Sequence, residues 1–114
     1  MATFGALEKI ASSFPQVTEE PHFEKISFQV KKKIFATYDA KNNRATIKLS
    51  ETDQDTFTST SPNIYPVDNK WGRQGWTLVE LSEVSQELLT DVLRAAYREV
   101  APKKLSELTQ KNGK

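Results

Sequence analysis

Cysteine is absent, so the chain has no disulfide framework, no thiolate metal site and no thiol nucleophile. Histidine occurs once, at His22 between Pro21 and Phe23. Acid–base catalysis needs a base held beside its reacting partner, and a lone histidine in a proline-bearing extended segment reads as a surface residue. Glu19, Glu20 and Glu24 surround it, but side chains along an extended segment alternate sides and do not converge on one ion. Glycine is scarce as well: Gly5 and Gly113 sit near the ends, and Gly72 and Gly75 lack the Lys-Ser/Thr pair and following helix of a phosphate loop. No serine stands in a nucleophile-elbow pattern. No apolar run approaches the ~20 residues that span a bilayer, and the start, Met1–Lys9, has no basic segment leading into an apolar one. The expectation is a non-enzymatic cytoplasmic protein with no cofactor, no metal and no membrane segment.

What is present suits one domain: 114 residues, 37% of them hydrophobic, enough for a single core. The chain is organised around Tyr65–Leu81, which holds both tryptophans and two of the four glycines. Ahead of it, Thr3 is placed to cap a helix in which Phe4, Leu7, Ile10 or Ala11, and Phe14 recur at helical spacing; Pro15 disfavours helix at Phe14. Val17–Phe23 is acidic and carries Pro21, which fits only an edge strand or an extended lead-in. Ile26, Phe28 and Val30 then alternate with Ser27 and Gln29. Ile34, Ala36 and Tyr38 alternate with Phe35 and Thr37, and Ala45, Ile47 and Leu49 with Arg44, Thr46 and Lys48. Short polar turns at Lys31-Lys32 and Asp39–Asn43 make these three strands an antiparallel meander.

Ser50–Asp53 begins like a capped helix, continued by poor helix formers with Phe57 as the one large anchor and closed by Pro62. Asn63–Val67 is extended, with Pro66 excluded from a central ladder. Asp68–Gly75 reads as a loop and Trp76–Leu81 as a strand. Ser82 or Ser85 opens a last helix with Leu88, Leu89, Val92, Leu93, Ala96, Tyr97 and Val100 on one wide face. Pro102 stops it, and Leu105 and Leu108 offer one more turn. The order predicts an α+β two-layer sandwich, α-β(3)-α-β(2)-α, with helices on one face of an antiparallel sheet. One domain over residues 1–108 is expected, then a flexible tail over 109–114. Trp76 is expected buried against the last helix near Leu89 or Leu93, and Trp71 more exposed. The second sheet face must meet solvent or a partner.

Charge is placed unevenly. The net charge is +1, yet Lys25–Lys48 holds seven bases against the single acid Asp39, and Lys70 and Arg73 make the next basic loop. By strand alternation Gln29, Phe35, Thr37, Arg44, Thr46 and Lys48 share the side away from the core. Basic, amide and hydroxyl groups with an aromatic among them suit phosphates and stacked bases. Lysines on exposed strands also deter edge-to-edge aggregation.

Glu20-Pro-His-Phe, Ser27-Phe-Gln-Val, Lys33-Ile-Phe-Ala, Ile47-Lys-Leu, Ile64-Tyr-Pro, Gly72-Arg-Gln-Gly-Trp and the closing Ala96-Tyr-Arg-Glu-Val-Ala101 occur in that order. Together they resemble the MmcQ/YjbR family of small bacterial proteins, over about Phe14–Ala101. The resemblance implies a secretion-chaperone-like or frataxin-like sandwich and a DNA-binding role through projecting hairpins. It points to Lys33, Arg73, Gly75 and Trp76. The chain departs from the family pattern in its Thr/Ser-rich second helix and in Ala96, where serine is common.

Two functional readings follow. In the first, Lys31, Lys32, Lys33, Lys41, Arg44, Lys48, Lys70 and Arg73 neutralise DNA phosphates from hairpin loops, with strongly salt-dependent affinity. In the second, an adaptor or chaperone-like module binds a protein partner on the bare sheet face around Phe35 and Thr37, with weaker salt dependence.

Overall fold

The computed structural model of the chain describes residues 2–22 and 25–106, without the side chains of His22 and Ser106. The tail expected over 109–114, and Leu108 before it, lie outside the described residues. Helix α1 spans Phe4–Ser12, capped by Thr3, whose hydroxyl accepts from the Ala6 amide at 3.2 Å. It buries Leu7 and Ala11 and ends two residues ahead of Phe14. Phe14 stays in the core, its ring 5.0 Å from that of Tyr97.

Strand β1 (Val17–His22) is an edge strand that pairs along its length with β2 (Lys25–Val30), and Pro21 is tolerated there because an edge leaves one row of amides unused. Strands β3 (Lys33–Asp39) and β4 (Arg44–Lys48) complete the meander. Helix α2 (Glu51–Thr60) follows, its N-terminus capped by Ser50, whose hydroxyl accepts from the Asp53 amide at 3.1 Å. The short edge strand β5 (Ile64–Pro66) and helix α3 (Lys70–Arg73) lead to β6 (Trp76–Glu80), which enters beside β4. The sheet is six-stranded in the order β1-β2-β3-β4-β6-β5, every pair antiparallel. Helix α4 (Gln86–Val100), capped by Ser85, lays Leu89, Val92, Leu93, Ala96 and Tyr97 against β3 and β4, and α5 (Lys103–Ser106) follows. The α+β sandwich stands: β1 takes the edge-strand alternative, α5 supplies the further turn expected at Leu105, and the short helix α3 is added.

Phe28, Val30, Ala36, Tyr38, Ala45, Ile47 and Val79 face the helices and are buried. Two side chains depart from simple alternation. Phe28 pairs with Ala36 and Gln29 with Ile34, so Phe35 is an extra residue, a β-bulge in β3. The bulge turns Phe35 into the core, fully buried and nearly perpendicular to the Tyr97 ring at 5.6 Å. Ile34 takes the open face instead, the reverse of the expected phase.

Trp76 also lies away from its expected place. Thr77 and Val79 are the buried residues of β6, so Trp76 and Leu78 face away from the helices and Trp76 does not pack on Leu89 or Leu93. Thr77 accepts this place because its hydroxyl donates to the Gly75 carbonyl at 2.9 Å and accepts from Gln54 Nε2 at 3.1 Å. A buried hydroxyl with both partners incurs little of the desolvation penalty that an orphan would.

The bulge makes neighbouring residues energetically unequal. Phe35→Ala is expected to destabilise by about 3–5 kcal/mol, as for other buried large aromatics, and Ile34→Ala by about 1 kcal/mol because its burial is partial. Urea unfolding of both variants checks this, and equal losses would contradict the bulge.

Candidate functional site

Successive turns of a meander lie at opposite ends of its strands, and this divides the basic residues. The β2–β3 turn with Lys31 and Lys32, the start of β3 at Lys33, the end of β4 at Lys48 and the start of β6 lie at one end, Lys48 pairing directly with Trp76. Helix α3, carrying Lys70 and Arg73, runs into β6 at that same end. The β3–β4 turn with Lys41 lies at the other end, beside Arg44. The expected set of eight is therefore two groups, six residues and two.

In the smaller group Arg44 is compensated, whereas Lys41 is exposed and forms no ion pair among the described residues. Arg44 Nε donates to Glu80 Oε2 at 3.1 Å, and the Tyr65 hydroxyl donates to the same oxygen. That bond to Glu80, and then burial, push the Tyr65 hydroxyl above its ordinary pKa. At the other end Lys48 pairs with Glu99 at 3.8 Å. Lys31, Lys32, Lys33 and Arg73 are exposed and form no ion pair among the described residues, and the Lys70 ammonium lies 6.0 Å from the Trp71 ring centre.

Lys31 and Lys32 are unusual in backbone as well as charge. Their φ values, 51° and 68°, are both left-handed, as a two-residue type I′ hairpin requires. Asn-Gly suits such a turn; lysine carries a Cβ that the conformation disfavours.

The segment before β6 is a backbone joint. The Trp71 amide donates to Asn69 Oδ1 at 2.8 Å, which starts α3 inside the stretch expected to be a loop. A Cβ on Gly72 would lie 2.0 Å from the Val67 carbonyl oxygen, and one on Gly75 1.9 Å from that of Leu49. Gly75 also holds φ at 104°. Gln54 of α2 ties the joint together, its Nε2 donating to the Gly72 carbonyl at 2.9 Å as well as to Thr77.

The joint sets both tryptophans on the open sheet face. Trp71, Trp76, Leu78, Val67 and Ile34 line a groove of about 680 Å³, with Thr37 and Thr46 from the central strands and Lys25. Trp71 is 50% exposed, the one large apolar side chain so exposed among the described residues. A hollow of about 260 Å³ shares Ile34 and Trp76 with this groove and is flanked by Lys33 and Lys48. Another, of about 440 Å³, shares Val67 and is flanked by Lys70 and Arg73.

Phe35, expected on this face, is absent from it, and the tryptophans occupy the aromatic role. The signal for this was in the sequence: Trp76, Leu78 and Glu80 form one of the two phases of β6. His22 closes β1 opposite Lys25, with its side chain outside the described residues. Among the described residues no three His, Asp or Glu side chains gather closely enough to hold a metal ion.

A family model described as YjbR matches residues 12–99. Among solved structures, Deinococcus radiodurans protein DR2400, described as a family-model domain DUF419, aligns with a TM-score of 0.77 at 24% identity. The alignment covers 100% of this chain and 96% of that one, a likeness of fold. No curated protein matches the sequence.

Gly75→Ala should strike the joint through both its φ and its contact with Leu49. A loss of at least about 2 kcal/mol is expected, read from chemical denaturation. An unchanged unfolding midpoint would show that the close approach is not required.

Proposed function

This chain belongs to the YjbR family, and we propose that it is a non-enzymatic, cytoplasmic DNA-binding domain that contacts phosphates through the basic end of its sheet. The observation that carries the reading is the Lys31-Lys32 turn. Two adjacent lysines hold a conformation that glycine and asparagine adopt at lower cost. A hairpin that served only to reverse the chain would gain stability from Asn-Gly without losing polarity. The lysines therefore point to a use for their charge.

Lys33, Lys70 and Arg73 support the same reading, being exposed cations at the same end on rigid elements. Lys41 and Arg44, at the far end, do not belong to this phosphate-contacting set. The second reading, a protein-interaction module on the open sheet face, is favoured by the half-exposed Trp71 and the apolar groove beside it. The two differ in salt dependence, because phosphate contacts release counterions and apolar burial does not.

A salt titration of binding to generic duplex DNA tests the proposal. Lys32→Glu/Lys33→Glu should weaken binding across sequences and reduce the log–log salt slope by about two units, while Lys41→Glu should leave the slope unchanged. No retention at low salt, or an unchanged slope in the double variant, would transfer the function to the interaction module.

The turn allows a sharper check. Lys31→Asn/Lys32→Gly should raise stability by roughly 0.5–1 kcal/mol by relieving the left-handed lysines and should weaken DNA binding. A variant that is more stable and binds equally well would mark the lysines as dispensable.

A further inference from the structure

We infer that the groove on the open sheet face is a stacking platform for unpaired bases, so that the preferred partner is single-stranded nucleic acid. This inference rests on the DNA-binding reading above and gives it a substrate class.

The groove has the two components that recognition of single strands combines, aromatic faces and cations that track a backbone. Trp71 and Trp76 come from different elements and meet across one groove because the Gly72–Gly75 joint folds α3 back onto β6. The Asn69 cap and the hydrogen bond from Gln54 to Gly72 hold the short helix that presents Trp71, so its exposure is not that of a loose loop. A tryptophan held half-exposed retains a ring surface for a ligand and gives up little conformational freedom when one binds.

Charge selects among occupants. The one charged side chain lining the groove is Lys25. The hollows that adjoin it carry Lys33 and Lys48 on one side and Lys70 and Arg73 on the other. Their acids are Glu99, already paired with Lys48, and Asp68. An apolar floor between cationic flanks complements a ligand that is ringed and flat in the middle and anionic alongside, which is a nucleotide chain. An apolar peptide would offer no anion to Lys33, Lys70 and Arg73, the flanking cations that form no ion pair among the described residues.

Thr37 and Thr46, paired across the central strands, place hydroxyls on the floor that can donate to or accept from base edges. The volume, about 680 Å³, lies within the roughly 300–1,000 Å³ of clefts that house small ring systems. A duplex hides its base faces in the stack, so it reaches the cations but not the tryptophans.

The test compares an oligo-deoxythymidylate of about 15 nucleotides with a duplex of equal length, by fluorescence anisotropy at fixed low salt. The single strand is expected to bind at least about tenfold more tightly and to quench intrinsic tryptophan emission. Trp71→Ala should lose about tenfold or more for the single strand with its salt slope unchanged, and much less for the duplex; Trp71→Phe should recover part of the loss. Should Trp71→Ala fail to fold, the quenching of the parental protein and the Trp71→Phe comparison decide the matter. Equal or tighter duplex binding with no quenching would overturn the platform and leave the DNA-binding reading standing. Absence of binding to either DNA would overturn both. Salt-insensitive capture of an apolar peptide that displaces the oligonucleotide would also overturn the platform.

Discussion

Backbone packed directly on backbone, at Gly75 against Leu49 and at Gly72 against Val67, is the constraint on which the open face depends. Strand β6 must enter between β4 and β5, and it does so through a bend with no room for a Cβ. The Leu49 amide donates to the Gly75 carbonyl at 2.9 Å, and the Val67 amide to the Trp76 carbonyl at 3.0 Å, so the bend is hydrogen-bonded on both sides. From that entry everything on β6 is in phase: Thr77 and Val79 inward, Trp76, Leu78 and Glu80 outward. The Gly72-Arg-Gln-Gly-Trp motif is thus an architectural device whose product is the position of two tryptophans.

Electrostatics then gives the sheet two unlike ends. At one, Arg44, Glu80 and the Tyr65 hydroxyl satisfy one another across three adjacent strands, β4, β6 and β5. At the other, cations stand exposed on a hairpin turn and a short helix. Surface ion pairs contribute little to stability, so the first arrangement matters chiefly in leaving no free charge from Arg44 on that part of the face. The unpaired lysines are equally unneeded for the fold, and at Lys31 and Lys32 they oppose it through the backbone they occupy. Local cost without a compensating contact is what supports the proposal of a function for that end.

The elements most readable from the sequence were those with strict periods and plain caps. Thr3, Ser50 and Ser85 each accept the amide expected of an N-cap, and the alternations of β2 and β4 place their core residues correctly. Alternation failed where the backbone carries an extra residue. The bulge at Phe35 reverses the phase at the start of β3, and no local preference of Lys33-Ile-Phe-Ala announces it. In β6 the alternation holds and only its phase differs from the expectation, because hydrogen bonds with Gln54 and Gly75 satisfy an inward Thr77. Helix α3 is four residues long and contains glycine, too short for any periodicity to show. The separation of Lys41 and Arg44 from the other bases was implicit in the meander, since consecutive turns cannot share an end. The groove itself depends on the joint, whose geometry the glycines hint at and only the fold reveals.

Both tryptophans stand on an open face bordered by cations, outside the core. Comparative quenching of intrinsic fluorescence in the folded protein tests this placement most directly. Iodide should quench the emission markedly better than caesium, because the cations around Trp71 and Trp76 concentrate an anionic quencher and repel a cationic one, and raising ionic strength should narrow the difference. Blue-shifted emission that neither ion quenches would place the tryptophans in the core and contradict the account.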